Sequence, residues 1–401
     1  MDKDPPPRVS SPGPMDDWLS AGLVCLLHCN PLMEYILSGR AQADINVENP
    51  LGSKGEIMTA FVQLARRYWS GREKVVDPSA LKNVLERIWP QYEGDVGHDC
   101  SDFLCFLLES GLMEDVNQTS KRPVYEGVDP KLPESEAAEK SWKQHMARSD
   151  SYVSELFTGL YRVKSWCTAC DGIDGFASVL SMLWQAKSDC TACNGVTSFD
   201  PMMWLSLDCA GHFMLSDVIG GMKEPHSEIE RFFPSCTHPH DHLFSSDVWR
   251  LPKILFIQKK PCSRAIIEID YPLVLDLTHV LAGPREVEPV YDLYAVVCCD
   301  KGCYYTYSFN INEKSWFRFG DEGVKQVASE GVISRNAYLL FYQRRDVANP
   351  RHLRLCGLPG CSAYKTGMGK CGKCKLVYYC TEDHQLSHWP EHKKECGSAK
   401  K

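Results

Sequence analysis

The stretch that decides the fold of the first third of the chain is NPLGSKGEIMTAFVQLARRYWSG, from Asn49 to Gly71. Its apolar residues recur every three or four positions, and residues at that spacing lie on one face of an α-helix. The residues that share this face are Ile57, Phe61, Leu64, Ala65 and Tyr68. The stretch therefore predicts an amphipathic helix whose apolar face is buried in a protein core.

Helical patterning extends from Trp18 to about Arg148. The segment HDCSDFLCFLLESGL, for example, predicts a helix that stops at Gly111. After Ser149 the pattern changes to short β-prone runs such as MMWLSL, WRLPKILFIQ and YDLYAVVCC. Helices followed by strands predict an α+β fold, since an alternating α/β fold would interleave them.

Charge and composition narrow the function. With 44 Lys and Arg against 52 Asp and Glu, the net charge of −8 argues against general nucleic-acid binding. The sequence has no run of 18 apolar residues, and its start, MDKDPPPRVSSPGP, lacks the apolar core of a signal peptide. We expect no membrane partner and an intracellular location, in the cytoplasm or the nucleus. Twenty cysteines in a reducing compartment indicate metal binding more than disulfides.

The C-terminal block reads CGLPGCSAYKTGMGKCGKCKLVYYCTEDHQLSHWPEHKKEC. Its eight candidate ligands are Cys356, Cys361, Cys371, Cys374, Cys380, His384, His392 and Cys396. They form four close pairs, which suits two tetrahedral Zn²⁺ sites with no ligand position left open. A segment this short buries little apolar surface, so the metal would supply much of its folding free energy.

The ligand order and the ending VYYC…HWPEHKKEC resemble the MYND zinc finger. The resemblance implies interleaved sites, with Cys356, Cys361, Cys380 and His384 on one ion and Cys371, Cys374, His392 and Cys396 on the other. Two departures are the wider first pair and His384, which stands where a cysteine is usual; His388 is a weaker alternative to His384 or His392. MYND fingers bind short proline-containing peptides, so the resemblance implies a protein partner at this module.

The rest of the chain resembles the ubiquitin-specific proteases, from about Leu19 to Asp346. The similarity is carried by NPLGSKGEIMTAFVQLARRYWSG, HDCSDFLCFLLESGLMEDVN, WRLPKILFIQ and AYLLFYQRR. It implies a papain-like fold with a helical thumb over about 17–148 and β-rich palm and fingers over about 149–346. Ubiquitin would sit against the fingers, with its C-terminal tail threaded to a Cys-His-Asp/Asn triad.

These similarities predict a division of the chain. The predicted parts are a disordered tail at 1–16, a protease-like domain at 17–346, a linker at 347–355, a MYND finger at 356–396 and a tail at 397–401.

The residues at the family's triad positions are unusual. The family's Asn-x-Gly-Asn-Thr-Cys aligns with PGPMDD, which puts Asp17 at the nucleophile and Met15 at the oxyanion-stabilising asparagine. The family's Gly-His-Tyr-Thr-Ala-Tyr aligns with GCYYTY, so Cys303 replaces the base. In FRFGDE, Gly320 stands at the orienting acid.

Cysteine-protease chemistry needs a thiolate, an imidazole within reach and a group that orients the imidazole. Asp17 carries no thiol, and Cys25 and Cys29 lie two to three helical turns further on, where we expect core packing. Cys303 without a cationic neighbour is expected to remain a protonated thiol. The resemblance therefore predicts a domain without catalytic residues.

A second zinc region would lie in the fingers, where KSWCTACDGIDGF and KSDCTACNGVTSF begin 23 residues apart. In one interpretation Cys167, Cys170, Cys190 and Cys193 hold one Zn²⁺ among themselves. In another, Cys190, Cys193 and Cys236 recruit His238, His240 or His242. A third interpretation is a duplication without metal.

The predicted function is a catalytically inactive ubiquitin-specific-protease-like protein that binds ubiquitin or a ubiquitinated protein and uses its MYND finger as an adaptor. Two alternatives remain open at this point. One is an active cysteine-type deubiquitinase. The other is a MYND adaptor with no ubiquitin affinity.

Overall fold

The structure is a computed structural model that describes residues 5–129, 131–167, 196–207, 212–222, 226–227, 242–259, 268–350, 352–361, 363–364, 368–374 and 377–396. Its α-helices are α1 (Asp17–Leu27), α2 (Asn30–Leu37), α3 (Arg40–Ala43), α4 (Glu56–Trp69), α5 (Ser79–Ile88), α6 (Cys100–Phe106), α7 (Glu134–Arg148), α8 (Tyr152–Phe157), α9 (Leu215–Gly221) and α10 (Glu382–Glu395). Its first strands are β1 (Arg8–Val9), β2 (Val75–Val76), β3 (Gly159–Cys167), β4 (Val196–Met202), β5 (Trp204–Leu207), β6 (His212–Met214), β7 (His226–Ser227), β8 (His242–Arg250) and β9 (Ile254–Lys259). The later strands are β10 (Glu268–Asp270), β11 (Val274–Asp276), β12 (Val290–Asp300), β13 (Cys303–Asn310), β14 (Ser315–Gly320), β15 (Gly323–Val327), β16 (Ala337–Arg344), β17 (Gly369–Lys370) and β18 (Tyr378–Tyr379).

The α+β prediction is confirmed, and α4 has the predicted apolar face. All five side chains of that face are buried, and the most exposed, Leu64, is only 3% exposed. They belong to a core that α4 shares with α1, α2, α6 and the large sheet. Most of the stability of α4 therefore comes from this packing, since burying one large apolar side chain is worth about 1.5–3 kcal/mol.

The helix that begins at Cys100 does not stop at Gly111, as the sequence predicts. It continues without a break as a π-helix from Leu107 to Met113. A Cβ added at Gly111 would lie 3.1 Å from Ile57 and 3.2 Å from Trp89. Glycine is present there because the neighbouring side chains pack closely, and no chain reversal is needed.

The large sheet has the strand order β15-β14-β13-β12-β16-β9-β5, with β11 paired to β12. Its strand pairs are antiparallel except for β5 and β9. Both faces are covered: Phe256 of β9 packs towards the thumb helices, while Leu255 and Ile257 pack on the opposite side with α9. A separate sheet has the order β4-β3-β8-β7.

The predicted disordered tail at residues 1–16 is wrong from Arg8 onward. Strand β1 pairs with β2 in parallel, and the Ser10 N–H donates to the Val76 carbonyl at 3.0 Å. Val9 and Asp16 are both buried. Proline and serine suppress a helix in this segment, but they do not prevent it from pairing with a strand far along the sequence.

The predicted linker 347–355 is packed against the main domain over its second half. Leu353 and Leu355 are buried in the core that contains the thumb helices. The Asn312 side chain donates to the Leu353 carbonyl at 2.7 Å and accepts from the Leu353 N–H at 2.9 Å. The C-terminal module is thereby attached at the turn between β13 and β14.

In the described part of the chain, no single helix is long and apolar enough to cross a membrane. Helices α1 and α2 pass that test only as a pair, and the pair is bent by 81°. Most of their side chains are buried. Packing within the protein therefore accounts for their apolar character.

Candidate functional site

The fold brings the three triad positions to one end of the large sheet. Asp17 is the first residue of α1, Cys303 begins β13 and Gly320 ends the antiparallel neighbour β14. Because β14 runs antiparallel to β13, the first residue of β13 and the last residue of β14 lie at the same end of the two strands. The alignment of these positions is therefore consistent with one shared site.

Asp17 is bonded to the strand that follows the base position. Its Oδ2 accepts a hydrogen bond from the backbone N–H of Tyr304 at 2.7 Å. Burial raises the pKa of the Asp17 carboxyl, the hydrogen bond from Tyr304 lowers it, and the charge of Asp321 raises it, so that the net shift is upward. The side chain at the nucleophile position thus links α1 to β13.

The turn before Asp17 is held by a buried ion pair. Asp16 Oδ2 lies 2.6 Å from Lys82 Nζ and accepts from the Gly13 N–H at 2.9 Å. Burial lowers the pKa of Lys82, but its hydrogen bond to Asp16 and the charge of Asp16 outweigh that effect and raise it. The ion pair joins α1 to α5, and it fixes the backbone that leads into the site.

Cys303 stands exposed after a tight turn, and Gly320 leaves space beside Tyr305 on the neighbouring strand. Lys301 and Gly302 both have positive φ, 52° and 85°, as a two-residue hairpin turn with strands of normal twist requires. A Cβ added at Gly320 would meet its nearest neighbours, Arg318 Nη1 and Tyr305 Cβ, at 3.4 and 3.6 Å, which is ordinary contact. A side chain at position 320 would therefore fit.

Met15, which the alignment places at the family's oxyanion-stabilising asparagine, is 51% exposed. Its backbone N–H donates to Asp95 Oδ1 at 3.1 Å. A thioether has no N–H or O–H, so this side chain cannot donate to an oxyanion.

The other cysteines and histidines around α1 serve packing. Cys25 and Cys29 are buried, which raises the pKa of Cys25 well above its usual value and that of Cys29 to about 12. Burial lowers the pKa of His28 to about 4, although its ring nitrogen bonds the Val24 carbonyl at 2.9 Å. His98 packs edge-on against Trp18 with ring centroids 5.0 Å apart. Cys25, Cys29 and His28 are buried, so none of these three offers a thiolate or a base to solvent.

Asp99 joins α6 to two strands of the large sheet, a role that its place in the sequence does not indicate. Its side chain caps α6 by accepting from the Ser101 and Asp102 N–H groups. It also accepts from the Tyr338 hydroxyl at 2.7 Å and from the Tyr304 hydroxyl at 3.3 Å. An aspartate directly before an apolar helical run is a helix-capping signal, so the cap was visible in the sequence. The tyrosine contacts were not, because they join residues more than 200 positions apart.

The C-terminal module contains two groups of four metal-binding side chains. Cys356, Cys361, Cys380 and His384 form one group, and Cys371, Cys374, His392 and Cys396 form the other. Within each group the ligand atoms lie within 4.8 Å of one another. The groups have the same members as the two predicted ligand sets.

The separations within these groups fit tetrahedral zinc. Tetrahedral Zn²⁺ places two sulfurs about 3.8 Å apart, and a sulfur and a nitrogen about 3.5 Å apart. The Cys361–Cys380 and Cys371–Cys396 sulfur pairs are both at 3.8 Å. His392 Nε2 lies 3.3 Å from Cys371 Sγ and 3.4 Å from Cys374 Sγ. The donor set and its spacing therefore fit Zn²⁺.

His388, the weaker alternative ligand, belongs to neither group. Its Nδ1 lies 3.0 Å from the Tyr379 hydroxyl, and its ring stacks on His392 at 5.5 Å between centroids. It is buried in this arrangement. The side chain thus supports the position of His392.

The candidate ligands in the fingers fall where the structure gives no side chains. Cys170, Cys190, Cys193 and Cys236 lie outside the described residues, and for Cys167 only the backbone, at the end of β3, is described. All three interpretations of the fingers stay predictions.

Family models match most of the chain. A model of the ubiquitin carboxyl-terminal hydrolases matches residues 15–342, and a model of the MYND finger matches residues 358–396. The second match begins two residues after Cys356, which the structure nevertheless groups with Cys361, Cys380 and His384.

Individual relatives match a smaller part. A putative ubiquitin carboxyl-terminal hydrolase 11 of Arabidopsis thaliana is 37% identical over 191 residues, which is 47% of this chain and 19% of that protein. Ubiquitin carboxyl-terminal hydrolase 15 of Homo sapiens is 36% identical over 154 residues, 38% of this chain and 16% of that protein. The chain thus covers at most about a fifth of these relatives' length.

Solved structures share the fold. A SAGA DUB module of Ubp8, Sgf11, Sus1 and Sgf73 bound to monoubiquitin gives a TM-score of 0.57 at 16% identity and covers 85% of this chain and 70% of that chain. The Ubp8/Sgf11/Sus1/Sgf73 DUB module bound to ubiquitin aldehyde gives 0.56 at 16% identity, with coverage of 85% and 70%.

Proposed function

Because the chain belongs to the ubiquitin carboxyl-terminal hydrolase family and carries a zinc-binding MYND finger, we propose that it binds ubiquitin without cleaving it and links ubiquitin to a second protein. The observation that carries this proposal is the hydrogen bond from the Tyr304 N–H to Asp17 Oδ2. At the position where the family places its nucleophile, this chain has a carboxylate that fastens a helix to a strand.

The side chains at the site argue against isopeptide hydrolysis. A carboxylate attacks an amide far less readily than a thiolate does, and the departing lysine amine needs a proton from a general acid. The family's histidine would supply that proton, but Cys303 stands in its place. Met15 also removes a donor to the oxyanion. We therefore expect loss of several contributions to catalysis at once.

Ubiquitin binding is supported by the fold. The described palm strands and thumb helices are those of the family, and a chain with the same fold is bound to monoubiquitin in a solved structure. A broad protein interface does not depend on the three catalytic side chains. Loss of those side chains is therefore compatible with retained binding.

The MYND finger offers an exposed apolar patch for the second protein. Leu386 and Trp389 lie three residues apart on α10, so they share one face of the helix, and they are 70% and 36% exposed. The zinc ligands His384, His392 and Cys396 hold this helix. Proline-containing peptides bind to exposed aromatic side chains, so this patch is the proposed peptide site.

The first experiment treats zinc-loaded protein with ubiquitin that carries a C-terminal thiol-reactive group. We expect no covalent adduct by mass spectrometry, together with reversible binding of unmodified ubiquitin by calorimetry. An adduct at one cysteine such as Cys303, removed by Cys303→Ala, would show an active or relocated nucleophile. Absence of both adduct and binding would favour an adaptor without ubiquitin affinity.

The second experiment measures binding of synthetic proline-containing peptides. We expect Trp389→Ala to abolish binding, whereas Val274→Ala, which truncates an exposed apolar residue of the main domain, should not. Equal binding by the two variants would place the peptide site elsewhere.

A further inference from the structure

The site around Asp17 carries negative charge that no cation in the described residues neutralises by an ion pair. Two carboxylates bond the same residue here: Asp17 Oδ2 accepts from the Tyr304 N–H at 2.7 Å, and Asp99 Oδ2 accepts from the Tyr304 hydroxyl at 3.3 Å. Burial is the main cause of the raised pKa of the Asp17 carboxyl, and the charge of Asp321 raises it further. Two arginines of this region make other contacts. Arg8 donates to the Asp321 backbone carbonyl at 2.9 Å, and Arg318 lies over the Tyr305 ring at 4.5 Å.

The N-terminus of α1 is not free to attract an anion. The first turn of a helix normally favours negative charge, because its N–H groups point outward and the helix dipole is positive there. Asp17 already places a carboxylate at this end of α1. It also accepts the Tyr304 N–H, which removes one donor from the site. A second carboxylate arriving here would meet like charge and one fewer N–H group.

The C-terminal group of ubiquitin differs between its two states. Free ubiquitin ends in a carboxylate, whereas conjugated ubiquitin ends in an isopeptide amide, which is neutral. A side chain at the nucleophile position faces this group, because a nucleophile must reach its carbonyl carbon. We infer that Asp17 makes the site selective for conjugated ubiquitin and against free ubiquitin. This inference rests on the proposed ubiquitin binding and names the form of ubiquitin that is bound.

The experiment compares three ligands on the full zinc-loaded chain by calorimetry. They are ubiquitin with its free carboxylate, ubiquitin with a C-terminal amide, and ubiquitin joined by an isopeptide bond to a lysine-containing peptide. We expect the amide and the conjugate to bind at least about tenfold more tightly than free ubiquitin, since like charges a few ångströms apart repel strongly in a partly buried site.

The variant Asp17→Asn tests the cause. Asparagine keeps an oxygen that accepts the Tyr304 N–H and removes only the charge. We expect free ubiquitin to bind this variant to within about twofold of the amide. Asp321→Asn leaves the hydrogen bond between Asp17 and Tyr304 intact. It should reduce, in part, the difference in affinity between free and amidated ubiquitin. Glu136→Gln, on the exposed side of α7, is the matched charge control and should leave the selectivity unchanged.

The outcomes separate the two claims. Equal affinity of the wild-type chain for free and amidated ubiquitin would overturn the selectivity while ubiquitin binding stands. Retained selectivity in folded Asp17→Asn would also overturn the inference, since another group would then be responsible. Absence of binding to every form of ubiquitin, by protein with a native melting transition, would overturn both the inference and the proposed function.

Discussion

Asp17 Oδ2 accepts a hydrogen bond from the backbone N–H of Tyr304 at 2.7 Å, which joins the first residue of α1 to the second residue of β13. The hydroxyl of the same tyrosine donates to Asp99, the cap of α6. Tyr304 therefore contacts the N-termini of both α1 and α6. The side chain of Asp17 thus contributes to the packing of α1 on β13.

The first prediction concerns this bond. Asp17→Ala removes the acceptor and should lower the free energy of unfolding by about 1–2 kcal/mol, the usual cost of leaving a partly buried N–H without a partner. Asp17→Asn keeps an acceptor and should cost less than about 0.5 kcal/mol. Urea unfolding of the full chain measures both. Asp102→Ala is the control, because it removes a carboxylate from the first turn of α6 that makes no hydrogen bond to a strand. An equal loss of unfolding free energy in Asp102→Ala and Asp17→Ala would contradict the prediction.

The second prediction concerns acid stability. Burial lowers the pKa of His28 to about 4 in the folded chain, against about 6.5 when unfolded. Between these pH values the unfolded state therefore binds a proton at His28 and the folded state does not. Above pH 6.5 His28 does not reduce the free energy of unfolding, and as the pH decreases from 6.5 towards 4 it reduces that free energy progressively. His28→Gln should reduce the loss of unfolding free energy between pH 7 and about pH 4.5 by about 2 kcal/mol.

Urea unfolding at the two pH values measures that loss. Zinc release at low pH affects both proteins alike and cancels in the comparison. His279→Gln, in an exposed position, is the control for the removal of an imidazole outside the core. An identical decline in wild type and His28→Gln would show that burial of His28 does not determine it.

The third prediction distinguishes the two zinc groups. Cys356 directly follows Leu355, which is buried in the main core, whereas Cys371 and Cys374 have no such neighbour in the chain. Cys361→Ser and Cys374→Ser should each reduce bound zinc, measured by native mass spectrometry. Cys361→Ser should also speed amide exchange at Leu353 and at the Asn312 turn, because the first group holds Leu355 in place. Equal exchange rates at these positions in the two variants would show that zinc binding by the first group does not hold Leu355 in the main core.

The sequence predicted those features that depend on local pattern. The apolar face of α4 follows from a spacing of three and four, and the zinc groups follow from four close Cys/His pairs. What the sequence did not predict depends on pairing between distant residues. Lys82 and Asp16 are 66 positions apart, and Arg8–Val9 becomes a strand only because Val75–Val76 lies beside it. No periodicity in either segment signals such a contact.

The last prediction concerns the reactivity of a variant that carries the family's triad residues. The three positions that the alignment assigns to the triad lie at one end of the large sheet, and position 320 has room for a side chain. The triple variant Asp17→Cys, Cys303→His, Gly320→Asp should therefore react with ubiquitin bearing a C-terminal thiol-reactive group, and at least about 100-fold faster than Asp17→Cys alone, because a positioned base activates the thiol. Hydrolysis of an isopeptide bond should remain slow, since Met15 still supplies no oxyanion donor, which costs about 10²–10³ in rate.

Intact-mass kinetics measure the labelling, and Asp17→Ser in the same background is the control without a thiol. Equal labelling rates for the triple variant and Asp17→Cys, both with native melting transitions and bound ubiquitin, would mean that the three positions are not arranged as a triad.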